Sequence, residues 1–305
     1  MAPGAMLVAN PAGVAFRSPE ARSGGLTGAL TLTGSFAPVL FFSVTGMGRG
    51  ARAGAAPAAS PHATWAKAGL LWLGDAAMWL SPRHWLGLDF LGFIALSSVV
   101  VDGLSRRARW HLAAAAAACA CVVLRFGVGP LLEAYLPGTL GSAPLSFVVG
   151  TQRVAGVSYP LSPWLVFPLL GMLAVLAGAP LLAAARGKLL GGCVATALAL
   201  AAVCAALDAH GLVFFRWGTM SFAYFVASLG VIAAACAVSL AVGPALRRKA
   251  LRTLLTIGGP ASLFVVPVHY GLVAAVGAVW KPHAGAQFVL ALAVTLVTTV
   301  ALARG

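Results

Sequence analysis

Apolar runs separated by short polar gaps follow one another from about residue 25 to the end of the chain. Runs of helical length stand at about 25–47, 64–80, 86–104, 110–124, 161–182, 189–207, 219–246, 254–280 and 285–303. At roughly 1.5 Å of rise per residue, about 20 apolar residues cross a hydrocarbon layer about 30 Å thick. The pattern therefore predicts about nine membrane spans, in an all-α polytopic transmembrane bundle over 25–305. The second run is short and interrupted by Asp75, and the fourth stops at Arg125 with room to extend. Residues 1–24 contain Pro, Gly and Arg, are not convincingly apolar, and lack the basic-then-apolar order of a signal peptide. They form a non-membrane N-terminal segment in this reading.

Composition agrees with the pattern. Charged residues make up 9 % of the chain and hydrophobic residues 61 %, where a soluble chain carries about 25 % charged residues. Mean hydropathy is +0.97. The net charge of +14 comes from 20 Lys+Arg against 6 Asp+Glu. These charges sit in short gaps between apolar runs, which reads as loops and anionic headgroups rather than nucleic acid. Taken in alternate gaps, one side holds 13 Lys and Arg and the other 7. The positive-inside rule makes the 13-charge side cytoplasmic. Nine spans then put the N-terminus outside and the C-terminus in the cytoplasm, in a cell (inner or plasma) membrane. Arg-over-Lys bias and abundant Ala hint at a bacterial source.

The five cysteines all lie in apolar runs without ligand-like spacing, so they read as small core residues and no metal site is expected. Gly187-x-x-x-Gly191 suggests a close helix contact. No nucleophile elbow, phosphate-binding loop, dinucleotide fingerprint or zinc-protease motif is present.

Ionisable residues inside spans are expensive and mark functional hypotheses. In the topology above Asp75, Asp89, Arg125, Arg153, His210, Arg216 and His269 all fall toward the outer half, as a polar pocket opening outward would require. Asp75 and Asp89 can pair with Arg83 or Arg125, as substrate ligands or as structural pairs. Arg125 and Arg153 border a long outer loop, 125–159, that also holds Glu133 and Tyr135. Arg153 can clamp an anionic or carbonyl group or anchor at headgroup level. His269 is the strongest single candidate. It is the one ionisable side chain in the run 254–280, with Pro267 two residues before it. A neutral imidazole is cheap to bury and able to take a proton from a hydroxyl or amine, or it is simply hydrogen-bonded to a neighbour.

Four stretches carry a family pattern in order. SFAPVLFFSVTGMGRG (35–50), LGLDFLGFIALS (86–97), YPLSPWLVFPLLGMLAVLAG (159–178) and IGGPASLFVVPVHYGL (257–272) stand in sequence along the chain. Together they resemble the bacterial integral-membrane acyltransferases, the group of heparan-alpha-glucosaminide N-acetyltransferase-like proteins and acyltransferase family 3. The resemblance implies about ten helices and an acyl-CoA co-substrate, usually acetyl-CoA, on the cytoplasmic side. It also implies acyl transfer to a saccharide or lipid-linked acceptor. His269 and Asp89 carry over as catalytic pocket residues. The basic inner loops at 106–109 and at Arg247, Arg248 and Arg252 can meet the anionic CoA. The family's usual opening helix, with its Arg, Asp and His, has no counterpart in residues 1–25, as if the first helix were lacking. The expected function is a multi-pass membrane acyltransferase. The alternative is a non-catalytic permease-like protein or a degenerate acyltransferase.

Overall fold

The computed structural model describes residues 35–53, 60–79, 89–135, 143–150, 158–210, 220–242, 293 and 297. By internal contacts the chain divides into two compact units, Met1–Phe41 with Val238–Gly305, and Phe42–Ala237. Nearly all the described residues belong to the second unit. They are helical, with no strand among them.

The helices are α1 (Ala37–Ala53), α2 (Pro61–Trp79), α3 (Phe90–Ser105) and α4 (Trp110–Val122). A π-helical turn (Val123–Val128) leads from α4 into α5 (Gly129–Tyr135). Then come α6 (Ala143–Val149), α7 (Leu161–Trp164), α8 (Val166–Ala209) and α9 (Phe222–Val242). Among the described residues three helical stretches are long and apolar enough to cross a membrane: Trp110–Tyr135, Ala185–Leu207 and Phe222–Val242. Two shorter apolar helices, Phe90–Ser105 and Leu161–Leu176, accompany them. Such helices associate a chain with membranes. The runs expected at 254–280 and 285–303 lie outside the described residues, apart from Ala293 and Val297.

The fourth run extends well past Arg125. The π turn carries the helix through to Tyr135, so Arg125 sits within an apolar stretch of 26 residues, not at a loop border. Glu133 and Tyr135 are helical for the same reason, and a further short helix, α6, occupies part of the stretch expected as loop. The alanine run WHLAAAAAACACV gives α4 the best intrinsic helix former and almost no side-chain bulk. Ala114, Ala118 and Cys121 are buried at helical spacing, and α4 packs on α8.

α8 spans 44 residues, but Ala185 breaks it with φ −155° and ψ 56°. The break falls beside Arg186 and Lys188, where the sequence predicts an inner loop between two spans. Before it, Phe167, Leu169 and Met172 are fully buried; after it, Leu198 is 66 % exposed. An apolar helix face left open in this way suits lipid better than water.

Among the described residues the close helix contact is made elsewhere than at Gly187 and Gly191. A Cβ added at Gly46 would collide with the Pro168 carbonyl, and one added at Gly171 with the Ser43 carbonyl. At Gly50 it would lie 2.6 Å from the Met172 carbonyl oxygen. The Gly46-x-x-x-Gly50 spacing on α1 and Gly171 on α8 thus let two backbones meet without side chains between them. Gly187 and Gly191 have no described atom within 4 Å of the same position.

An aromatic core forms where these helices join. Phe42 (α1) lies 4.6 Å from Phe93 and 5.5 Å from Phe90 (α3), and 5.9 Å from Trp164 (α7), centroid to centroid. Tyr159 meets Trp164 at 4.8 Å, and Trp164 meets Tyr224 of α9 at 6.3 Å. Stacked, edge-on and tilted geometries of this kind add to the burial of large apolar surfaces.

Candidate functional site

Two polar ties hold α2 and α3 side by side and show that they run antiparallel. At one end the Asp75 carboxylate, fully buried on α2, accepts hydrogen bonds from the N-terminus of α3. The Asp89 N–H reaches Oδ2 at 3.1 Å and the Leu91 N–H reaches Oδ1 at 3.2 Å. The first amides of a helix have no intrahelical acceptor, and their partial positive charge suits a carboxylate. Asp89 holds the N-cap position with extended backbone (φ −83°, ψ −161°), and its own side chain makes no capping bond. Asp75 therefore supplies, from the neighbouring helix, the cap that local sequence does not.

At the other end stands Asp102, buried near the C-terminus of α3. Its Oδ1 accepts from Arg49 of α1 at 2.9 Å. Its Oδ2 accepts from Arg106 at 2.8 and 3.1 Å, and from the Thr64 hydroxyl of α2 at 3.1 Å. One carboxylate thus ties three helices together. Arg49, 11 % exposed at its side chain, has its pKa lowered, chiefly by withdrawal from water. Asp102 acts against that shift, while Arg52 and Arg106 add to it. Charge-assisted bonds to both oxygens offset the cost of burying a carboxylate. The sequence reading passes over Asp102, although it stands out as the second acid of the apolar run that holds Asp89, one turn before Arg106.

The third polar region lies along the π turn. Arg125, half-buried, donates from Nη2 to the Met220 carbonyl at 3.0 Å and stands 5.4 Å from the Phe126 ring centroid. Met220 is fully buried, with φ +23°, a conformation that costs a side-chain-bearing residue energy and persists where its surroundings fix it. π turns widen a helix locally and recur at functional sites. Phe126 packs on Phe222 and Phe225 at 5.4 and 5.3 Å, which fixes the turn against the start of α9. Next to it is α7. Ser162 there has extended backbone (φ −98°, ψ 130°), is fully buried, and its hydroxyl lies beside the Cys121 thiol without meeting hydrogen-bond geometry. The Trp164 indole N–H, also fully buried, has no acceptor among the described residues.

The predicted site residues thus fall in separate places. Asp75 and Asp89 are adjacent, joined through backbone. Arg125 binds the Met220 carbonyl. His210 ends α8, exposed, its N–H bonded to the Ala206 carbonyl at 3.2 Å. Arg153, Arg216, Arg247, Arg248, Arg252 and His269 lie outside the described residues. Ser162 and Met220 carry no charge and no signal of their own in the sequence, and Trp164 stands out there only as part of the 159–178 stretch.

No family model, no curated protein and no solved structure matches the chain.

Proposed function

We propose that the chain is a multi-pass membrane acyltransferase of about nine spans, N-terminus outside and C-terminus cytoplasmic. It moves an acyl group, acetyl by expectation, from acyl-CoA to a saccharide or lipid-linked acceptor. One observation carries this reading. Three of the stretches that resemble the acyltransferase pattern pack on one another through their signature residues. Phe42 comes from the first, Phe90 and Phe93 from the second, and Tyr159 and Trp164 from the third. The glycines of the first and third, Gly46 and Gly171, make the close backbone approach. Residues drawn from three stretches of the pattern thus meet in one packed unit, which supports reading those stretches together.

In this reading His269 is the base that takes the acceptor's proton, and Asp89 is the other residue the resemblance marks as catalytic. Arg247, Arg248 and Arg252 would bind the CoA phosphates. The test is direct. Purified protein in liposomes is given acetyl-CoA and a glucosamine-terminated saccharide, and free CoA thiol and acetylated product are followed. Transfer is expected, and His269→Ala should lower it by roughly 10²- to 10⁴-fold, the usual worth of a positioned base. Saccharide flux across the liposome wall with no acetylated product would replace this reading by the permease-like one.

A further inference from the structure

Most buried polar side-chain atoms in folded proteins have a hydrogen-bond partner, and those that lack one call for an explanation. Among the described residues the Ser162 hydroxyl and the Trp164 indole N–H are two such atoms, both on residues with no solvent exposure. They lie two residues apart on α7, which packs against the π turn carrying Arg125. Cys121, one turn before Arg125 on the same helix, stands beside Ser162, so that helix packs directly on α7.

The chemistry of the set restricts what fits. An indole N–H only donates, and so does a guanidinium. An occupant must therefore present an acceptor, and a cation is excluded. The surrounding walls are aromatic: Tyr159 at 4.8 Å, Phe167 at 5.7 Å and Tyr224 at 6.3 Å from the Trp164 ring. Apolar walls with a few donors and a nearby cation suit a chain ending in an electron-rich oxygen. The Ser162 backbone is closely packed. Gly150, in the left-handed region at φ +70°, lets the chain pass so close to the Ser162 carbonyl that any Cβ there would collide with it.

We infer that Ser162 and Trp164, with Arg125 on the adjoining π turn, form a binding site for one acyl oxygen, either the carbonyl of an acyl ester or the carboxylate of a free acyl chain. The site gives the acyl group of the proposed transfer a seat, and rests on that reading for its role in turnover. Its existence rests on the donors alone.

The experiment uses the full chain in lipid nanodiscs with ¹⁵N-indole tryptophan and carbonyl-¹³C octanoate or methyl octanoate. A saturable carbonyl-to-indole dipolar coupling is expected with at least one probe. Coupling to octanoate alone identifies a carboxylate site, and coupling to the ester identifies an acyl-carbonyl site. Trp164→Phe, which keeps the ring stack and removes the donor, should abolish it. Ser162→Ala should weaken probe binding roughly tenfold, the worth of one hydrogen bond to a strong acceptor. No saturable coupling with either probe in the unmodified protein overturns the site, as does a coupling that survives Trp164→Phe. Probe binding without acyl transfer would overturn the activity and leave the site. Transfer with no coupling at Trp164 would do the reverse.

Discussion

Arg49 and Asp102, 53 positions apart, meet at 2.9 Å and fasten α1 to α3. Thr64 and Arg106 complete the set around the same carboxylate, so its loss would leave two guanidiniums together without their counter-charge. Breaking a buried pair by removing one partner costs about 3–5 kcal/mol, because the other charge stays buried. Asp102→Ala should accordingly lower the thermal midpoint in detergent steeply. Arg49→Met with Asp102→Leu should recover much of the loss, since an apolar pair of similar volume restores packing without stranded charge. Additive loss in the double variant would show that the ion pair is not the interaction that matters.

Asp75 is expected to act on helix α3, not on a ligand. Replacing it by Ala removes the acceptor for the Asp89 and Leu91 amides. The cost should be about 1–2 kcal/mol for a lost cap. Amide exchange at residues 89–92 should accelerate well beyond that in the rest of α3, and Asp75→Asn, which keeps an acceptor oxygen, should recover part of the protection. Unchanged exchange at those amides in Asp75→Ala would return Asp75 to the list of ligand-binding candidates.

Much of the helical framework is legible in the sequence because it is written in apolar run length, which needs no partner to be read. The breaks are legible too where charge marks them, as Arg186 and Lys188 do beside Ala185. The π turn is not. VLRFGV has no signal that separates it from α-helix, and Arg125, read as the end of a span, lies inside a helix that runs on to Tyr135. Partnership is also invisible to pattern. Asp75 and Leu91 are 16 positions apart, and whether a buried acid meets a cation or a helix N-terminus depends on how two helices pack. That Ser162 and Trp164 bury unmet polar atoms has no signal in the sequence, because an unmet hydrogen bond is a property of surroundings rather than of residue type.

The glycines separate close packing from coincidence. Gly46→Ala would push a Cβ into the Pro168 carbonyl, and Gly171→Ala another into Ser43. Overpacking of this kind costs about 1–3 kcal/mol. Gly187→Ala and Gly191→Ala meet open space among the described residues, and should gain about 0.5–1 kcal/mol from the better helix former. Thermal midpoints of the four single variants should split into two falling and two level or rising. Equal loss at Gly187 or Gly191 would mean that a second helix covers that face.

Gly150 offers the sharpest separation of backbone fit from side-chain chemistry. Its N–H closes α6 on the Ser146 carbonyl at 2.8 Å, and its positive φ is the usual way a helix ends. A methyl group there is strained by the backbone and also strikes the Ser162 carbonyl. Gly150→Ala should therefore destabilise by more than the left-handed conformation alone, which costs about 1–2 kcal/mol. It should also shift α7, so that the Trp164 fluorescence and the indole proton resonance move. Gly150→D-Ala, introduced by semisynthesis, relieves the backbone strain while changing where the methyl points. Recovery of both stability and the Trp164 signals would assign the damage to the left-handed backbone. Recovery of stability alone would assign the displacement of Trp164 to crowding at Ser162, and loss confined to stability in Gly150→Ala would show that α7 is held by its aromatic contacts without help from the Gly150 turn.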